Sequence, residues 1–237
     1  MSQAPGTVRN PAPPPLRALV AGAAKGVIQA LAPEFEAETG WRIEAAFDTA
    51  GALRDRILAG EAADVAILSR EAVEALGRRG PVVALGRTGV GLAGRAGAAH
   101  PAIGSPEAFA AALRRAASIG YADPARGATA GRHFIGVVEA LGLAAELRPR
   151  LRPFPFGIEA VAAVGRGEVE LAVSQATEIL GQPGIALVGL FPAPHALSTA
   201  YEAVALSATE GAVRLLQALQ GPAAAATRQR YGFFEDR

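Results

Sequence analysis

Leu16-Arg17-Ala18-Leu19-Val20-Ala21-Gly22-Ala23-Ala24-Lys25-Gly26-Val27-Ile28 contains the turn from which the fold is read. Residues 16–21 form a short apolar run that reads as a strand. Val27, Ile28, Leu31 and Phe35 then recur at helical spacing until Gly40 closes the element. Pro33 falls inside this pattern and is expected to kink the helix or end its first half, because proline removes an N–H and crowds the preceding turn. A strand feeding straight into a helix leaves free backbone N–H groups and a positive dipole end at the turn. Lys25, the only lysine of the chain, adds a cation there. The turn suits a small anion, although an ordinary solvated lysine near a helix start would look the same.

The alternation continues outward from this turn. Residues 42–47 read as a second strand, Leu53, Ile57 and Leu58 mark a second helix, and residues 64–68 form a buried third strand. Such alternation predicts a parallel sheet with helices on its faces. Residues 82–84 and 90–93, separated by glycines, read as two strands carrying the chain out of the first sheet. Ser105-Pro106-Glu107 opens a helix with an N-cap and a proline at the first helical position. Ile119–Ala122 is a strand, and a helix is expected over residues 132–141. Ile158, Val161 and Val164 mark another helix. Residues 171–174, 185–188 and 201–206 read as strands, with helices over 213–219 and from Pro222 towards Tyr231. Two α/β lobes follow, with a ligand between them beyond the carboxyl ends of the strands.

Composition removes several function classes. The 237 residues carry a formal net charge of +1, with acidic and basic residues interleaved, so no footprint for nucleic acid is present. No apolar stretch reaches the roughly 18 residues of a membrane span, so no membrane insertion is expected. With no cysteine, thiolate metal sites and cysteine nucleophiles are excluded. His100, His133 and His195 stand far apart in sequence, so no metal and no cofactor is expected. The glycines between Gly86 and Gly97 lack the placement of a dinucleotide turn and read as hinge and strand-edge glycines. Residues 1–15 are polar and proline-rich and are expected to form a disordered tail. They lack the pattern of a secretory signal, so the chain as written is expected in the cytoplasm. A removed leader or a misplaced start would make it periplasmic.

Three stretches carry a family resemblance: Phe35-Glu36-Ala37-Glu38-Thr39-Gly40; Gly51-Ala52-Leu53-Arg54-Asp55-Arg56-Ile57 with Gly60-Glu61-Ala62-Ala63-Asp64-Val65; and Gly221-Pro222-Ala223-Ala224 with Tyr231-Gly232-Phe233. Their order and spacing resemble periplasmic solute-binding proteins of the molybdate-binding type, the substrate receptors of ABC importers. The resemblance runs from about Leu16 to Phe233. It implies a type II periplasmic-binding-protein-like α/β fold, with lobes spanning 16–86 plus 193–237 and 87–192, each a mostly parallel sheet flanked by helices, closing on a ligand by hinge motion. It also implies ABC permease subunits as partners, and a monomer is expected.

The pattern departs from a molybdate receptor at two turns, where Ala23 and Ala50 stand in place of serine hydroxyls. Each lost donor to a desolvated anion costs about 1.5–3 kcal/mol. Asp123-Pro124-Ala125-Arg126-Gly127-Ala128-Thr129-Ala130-Gly131, together with Gln175 in Ser174-Gln175-Ala176-Thr177-Glu178, resembles instead a subgroup neighbouring aconitate isomerase. Arg126 stands there where a small hydroxyl residue is expected, and a guanidinium can grip a carboxylate with two parallel bonds.

The candidate ligand-binding residues are therefore Ala23, Lys25, Thr49, Ala50, Ser69, Arg126, Thr129, Ala130, Gly157 and Gln175. Thr49 equally suits an N-cap, and Arg126 an exposed surface position. Asp48 would repel an anion unless it turns away or pairs with a basic neighbour. The favoured function is a binding protein for a small organic anion, a di- or tricarboxylate rather than molybdate. The alternative is an isomerase on the same fold that shifts a double bond in a tricarboxylate, with Lys25 or His133 moving the proton. A transcription-regulator effector domain is set aside, since only the short tail precedes the first strand.

Overall fold

A computed structural model describes residues 13–77 and 80–235. Most of the proline-rich tail, residues 1–12, lies outside the described residues. The chain begins with β1 (Leu16–Ala21), a single 3-10 turn at Gly22–Ala24, α1 (Lys25–Thr39), β2 (Ile43–Asp48), α2 (Ala50–Leu58), β3 (Val65–Ser69) and α3 (Arg70–Ala75). It continues through β4 (Val82–Arg95), α4 (Pro106–Arg115), β5 (Ile119–Ala122), α5 (Thr129–Ala140), α6 (Ala144–Leu147) and β6 (Leu151–Phe154). The last elements are α7 (Gly157–Arg166), β7 (Leu171–Gln175), α8 (Ala176–Leu180), β8 (Ile185–Leu190), β9 (Ser198–Ala205), α9 (Glu210–Gln220) and α10 (Pro222–Arg230).

The strands are ordered β2-β1-β3-β9-β4-β7-β5-β6, with β8 also paired to β4. β1 pairs in parallel with β2 and β3, and β5 in parallel with β6 and β7. The pairings made by β9 and β4 are antiparallel. Helices cover the faces, giving the two-lobed fold of the periplasmic-binding-protein type. β1 and β3 are apolar and buried along nearly their whole length, as strands covered on both sides must be. One core gathers residues between Leu16 and Leu85 with others between Tyr201 and Phe233; two further clusters draw on Val90 through Phe191.

Residues 82–84 and 90–93 are one 14-residue strand rather than two. Its first part, Val82 to Gly89, pairs with β9, and the part from Val90 onward pairs with β7 and β8. The glycines between do not break it. A Cβ at Gly91 would stand 2.7 Å from Leu187 Cδ1 and 2.9 Å from the Gly189 carbonyl, so glycine there lets β8 pack closely. Pro33 likewise does not end α1, which runs on to Thr39. Pro33 and Gln29 are both exposed, so the carbonyl freed four residues back can turn to water. The helix expected over 132–141 starts earlier, at Thr129, which brings its first turn to the end of β5.

Gly131 fixes that placement. A Cβ on it would lie 1.8 Å from the Ala122 carbonyl oxygen at the end of β5. Alanine would gain about 1 kcal/mol of helix propensity, but the obstacle is backbone and no rotamer avoids it. Gly131→Ala is therefore expected to destabilise the fold by about 1–3 kcal/mol. Urea unfolding checks this as a lower midpoint at unchanged slope.

Candidate functional site

Parallel strands that end on one side bring their following helices to one place. The ends of β1, β2, β5 and β7 open onto a cavity of about 300 Å³ between the lobes. Ala23, Lys25, Thr49, Ala50, Thr129, Ala130, Gly157 and Gln175 line it. Ser69, Arg126 and His133 do not. Ser69 is buried and caps α3 by accepting from the Ala72 amide at 3.4 Å. His133 Nε2 lies 2.8 Å from the His195 carbonyl oxygen, among Phe191 and its neighbours.

Four α-helix starts of the described residues are closed by side chains: Thr49, Ser69, Ser105 and Thr209 each accept an amide from the first turn of their helix. Three starts at the cavity differ. Among the described residues, the 3-10 turn leading into α1, the start of α5 and the start of α7 have no side-chain cap, as is also true of α6, α8 and α10. Their first residues are Gly22, Thr129 and Gly157, all on the cavity wall. Orphan amides and positive dipole ends thus converge on one space.

Lys25 adds full charge. Its Nζ lies 5.2 Å from the centre of the Phe47 ring, a cation–π contact that holds the ammonium at the wall. Phe47 and Phe156 supply apolar surface on opposite lobes.

The second turn ties the lobes together. Thr49 Oγ1 accepts from the Ala52 amide at 3.2 Å, capping α2, and donates to the Arg126 carbonyl of the other lobe. The N-cap role read for Thr49 is present, and its hydroxyl hydrogen, which could have met a ligand, goes to a bond across the cleft that the sequence did not suggest. Gly51 and Gly127 meet beside it, where a Cβ on Gly51 would come 3.0 Å from Gly127 Cα. The Arg126 guanidinium stacks 4.9 Å over the Phe156 ring, with Nη2 3.8 Å from Asp48 Oδ1. Asp48 also accepts the Thr49 amide at 2.8 Å and stands 3.7 Å from Arg56 Nη1. Its charge is therefore met by two guanidiniums.

Gln175 is 3% exposed, with Nε2 donating to Thr199 Oγ1 at 3.3 Å. Its Oε1, among the described residues, has no hydrogen-bond partner. A buried orphan acceptor on a cavity wall is suited to a donor from a ligand.

Glu178 and Tyr201 were not among the residues read from the sequence, yet both line the cavity. The Glu178 carboxyl accepts from Ser174 Oγ and lies against two glycines: Cβ atoms at Gly22 and Gly157 would each come 2.5 Å from one of its oxygens. Burial pushes this carboxyl above the ordinary carboxylate range, against the lowering effects of the Ser174 hydroxyl, the Gln175 amide and Lys25. Burial and the nearby Glu178 push the Tyr201 hydroxyl up, with the Gln175 side chain acting the other way. The signal for Glu178 was its place three residues beyond Gln175, in the first turn after a strand exit. Among the described residues, no cluster of histidines or carboxylates is arranged to hold a metal.

Comparison with known proteins follows the same lines. Residues 16–234 match the family described as bacterial extracellular solute-binding proteins. An aconitate isomerase from Pseudomonas sp is 33% identical over 224 residues, covering 89% of this chain and 84% of the relative. The periplasmic molybdate-binding protein of Azotobacter vinelandii superposes with a TM-score of 0.76 at 19% identity, covering 94% of this chain and all of that one. Peb3 of Campylobacter jejuni superposes at 0.67 with 13% identity, covering 93% of this chain and all of Peb3. At such identities the two structures speak for the fold alone. With nearly its whole length matched, the chain belongs to the bacterial extracellular solute-binding protein family.

Proposed function

We propose that this protein closes its two lobes, 16–86 plus 193–237 and 87–192, on a small organic di- or tricarboxylate. The observation that carries the reading is the convergence of three uncapped helix starts with Lys25 on one cavity of about 300 Å³. That volume is at the lower end for small-molecule sites. Phe47 and Phe156 suit a carbon skeleton better than a bare tetrahedral oxyanion. Ala23 and Ala50 offer no hydroxyl to molybdate, and the carboxyls of Asp48 and Glu178 disfavour a ligand that is charged on every side. The function is capture of the anion for an ABC-type importer, working outside the cytoplasmic membrane in keeping with the family. Of the two locations weighed from the N-terminal residues, this is the periplasmic one. No helix of the described residues is long and apolar enough to cross a membrane.

One observation favours a second reading. The 33% identical relative is an aconitate isomerase, and the cavity holds a carboxyl, Glu178, whose burial raises its proton affinity. On that reading the bound tricarboxylate is aconitate and its double bond is shifted in place.

Thermal unfolding with citrate, cis- and trans-aconitate, succinate, molybdate and sulfate tests the anion class. A ligand at 100 times its Kd adds about 2.7 kcal/mol, or roughly 5–10 °C in Tm for a chain of this size. Carboxylates are expected to give this rise. Stabilisation by molybdate or sulfate alone would sink the proposal. Lys25→Ala should weaken carboxylate binding about 10- to 100-fold by titration calorimetry, the loss of one charge-assisted contact.

Thr49→Ala removes both the α2 cap and the bond to the Arg126 carbonyl. A loss of about 1 kcal/mol in stability is expected from the cap, with faster ligand release in stopped-flow measurements. Thr49→Ser, which keeps the hydroxyl, should restore both.

A further inference from the structure

Resting on the reading of the cavity as a site for aconitate, we infer that Glu178 is the group that moves the proton. Five other side chains compete for the role. Lys25 is held over Phe47 as a cation and suits the task of clamping a carboxylate. Asp48 is engaged by the Thr49 amide, Arg56 and Arg126. Glu159 lines the cavity but is exposed to solvent. The buried Tyr201 hydroxyl is held protonated. His133 is turned towards the His195 carbonyl, away from the cavity. Glu178 alone combines depth, contact with the cavity and a positioned carboxyl.

Its placement fits proton transfer in detail. The carboxyl belongs to the lobe of β7 but lies against Gly22 of the other lobe as well as Gly157 of its own. These glycines carry two of the three uncapped turns, so carboxyl and amides face the same volume. The Ser174 hydroxyl holds one carboxyl oxygen in place. Closure over the ligand excludes water from a carboxylate already costly to ionise, and this strengthens it as a base.

The reaction balances without any co-reactant. The Glu178 carboxylate takes a proton from the methylene of bound aconitate. The electrons of the broken C–H bond form a new C=C, and the original double bond opens. Negative charge spreads onto the ligand carboxylates, where Lys25 and the amides at the helix starts stabilise it. Glu178 then returns the proton to the far carbon of the former double bond. One C–H bond is broken and one formed, nothing is oxidised or reduced, and the carboxylate is regenerated. The new double bond forms where a freely rotating single bond stood, so the conformation held there when the proton leaves decides whether a cis or a trans product results.

The test is proton NMR of the full chain with trans-aconitate in D2O, alongside calorimetry. Wild type is expected to produce cis-aconitate and to exchange methylene and vinyl protons for deuterium. Glu178→Gln, nearly isosteric, should bind trans-aconitate within tenfold of wild type yet lose about 100- to 10,000-fold in turnover and exchange. Glu178→Asp keeps a carboxyl one methylene further back and should retain measurable turnover; it decides the matter if the glutamine variant fails to fold. Binding by wild type without conversion or deuterium uptake would overturn the role of Glu178 and leave the polycarboxylate receptor standing. Undiminished turnover in Glu178→Gln would also overturn it. Failure of wild type to bind any aconitate would remove the polycarboxylate reading itself, and this inference with it.

Discussion

Parallel pairing is the constraint on which the site depends. β1 can lie parallel to β2 and β3, and β5 to β6 and β7, only if the chain crosses back between them and starts each new helix from the same end of its sheet. Helix starts therefore gather at the strand ends whatever the side chains are. What the sequence adds is the choice of which starts to cap. Thr49, Ser69, Ser105 and Thr209 cap four helices, one of them at the cavity, and the cavity turns at Gly22, Ala128 and Phe156 carry no such acceptor. Backbone amides at these three cavity turns and the Lys25 ammonium are the positive groups that face the site.

Two carboxyls in an anion site would contradict that logic if their environments were alike. They are not. Asp48 stands between Arg56 and Arg126 and accepts a backbone amide, so its charge is compensated within the rim. Glu178 has one hydroxyl, one amide and a more distant ammonium against the cost of burial, and burial is the largest effect. Carboxyls in such different surroundings can serve different ends, Asp48 as a counter-ion to two guanidiniums and Glu178 as a buried group whose proton affinity is raised. A polyanion then meets a wall whose net field is positive, with one basic point.

The strand–helix alternation of the first lobe was legible because burial on both sheet faces leaves nearly unbroken apolar runs at β1 and β3, and a helical stripe at Val27, Ile28 and Phe35. β4 was not, because glycines that signal turns in sequence here make room for Leu187 and Leu190 of β8. Pro33 misled for a similar reason: its cost depends on which side of the helix faces water. At the site, residues that follow a strand end in chain order were found, among them Ala23, Lys25, Thr49 and Gln175. Tyr201 was missed because it enters from β9, which crosses antiparallel from a distant part of the sequence. Arg126 was read as a ligand contact from its place in the Asp123–Gly131 loop and its charge, and its stacking on Phe156 is a tertiary fact that no spacing reveals.

Closure links these parts. The meeting of Gly51 with Gly127 and the bond from Thr49 to the Arg126 carbonyl are made by backbone, or by a hydroxyl to backbone, so they are insensitive to ligand charge. The groups that do sense charge, Lys25 and the amides near Gly22, Thr129 and Gly157, are divided between the lobes. On the proposed reading, a ligand with anionic groups at two ends would engage both halves at once, whereas one with a single charge would satisfy only one. The Glu178 carboxyl lies against Gly22 of the other lobe, so the contact between the lobes contributes to the burial that raises its proton affinity. Binding selectivity and proton affinity are in this way coupled through a single interface.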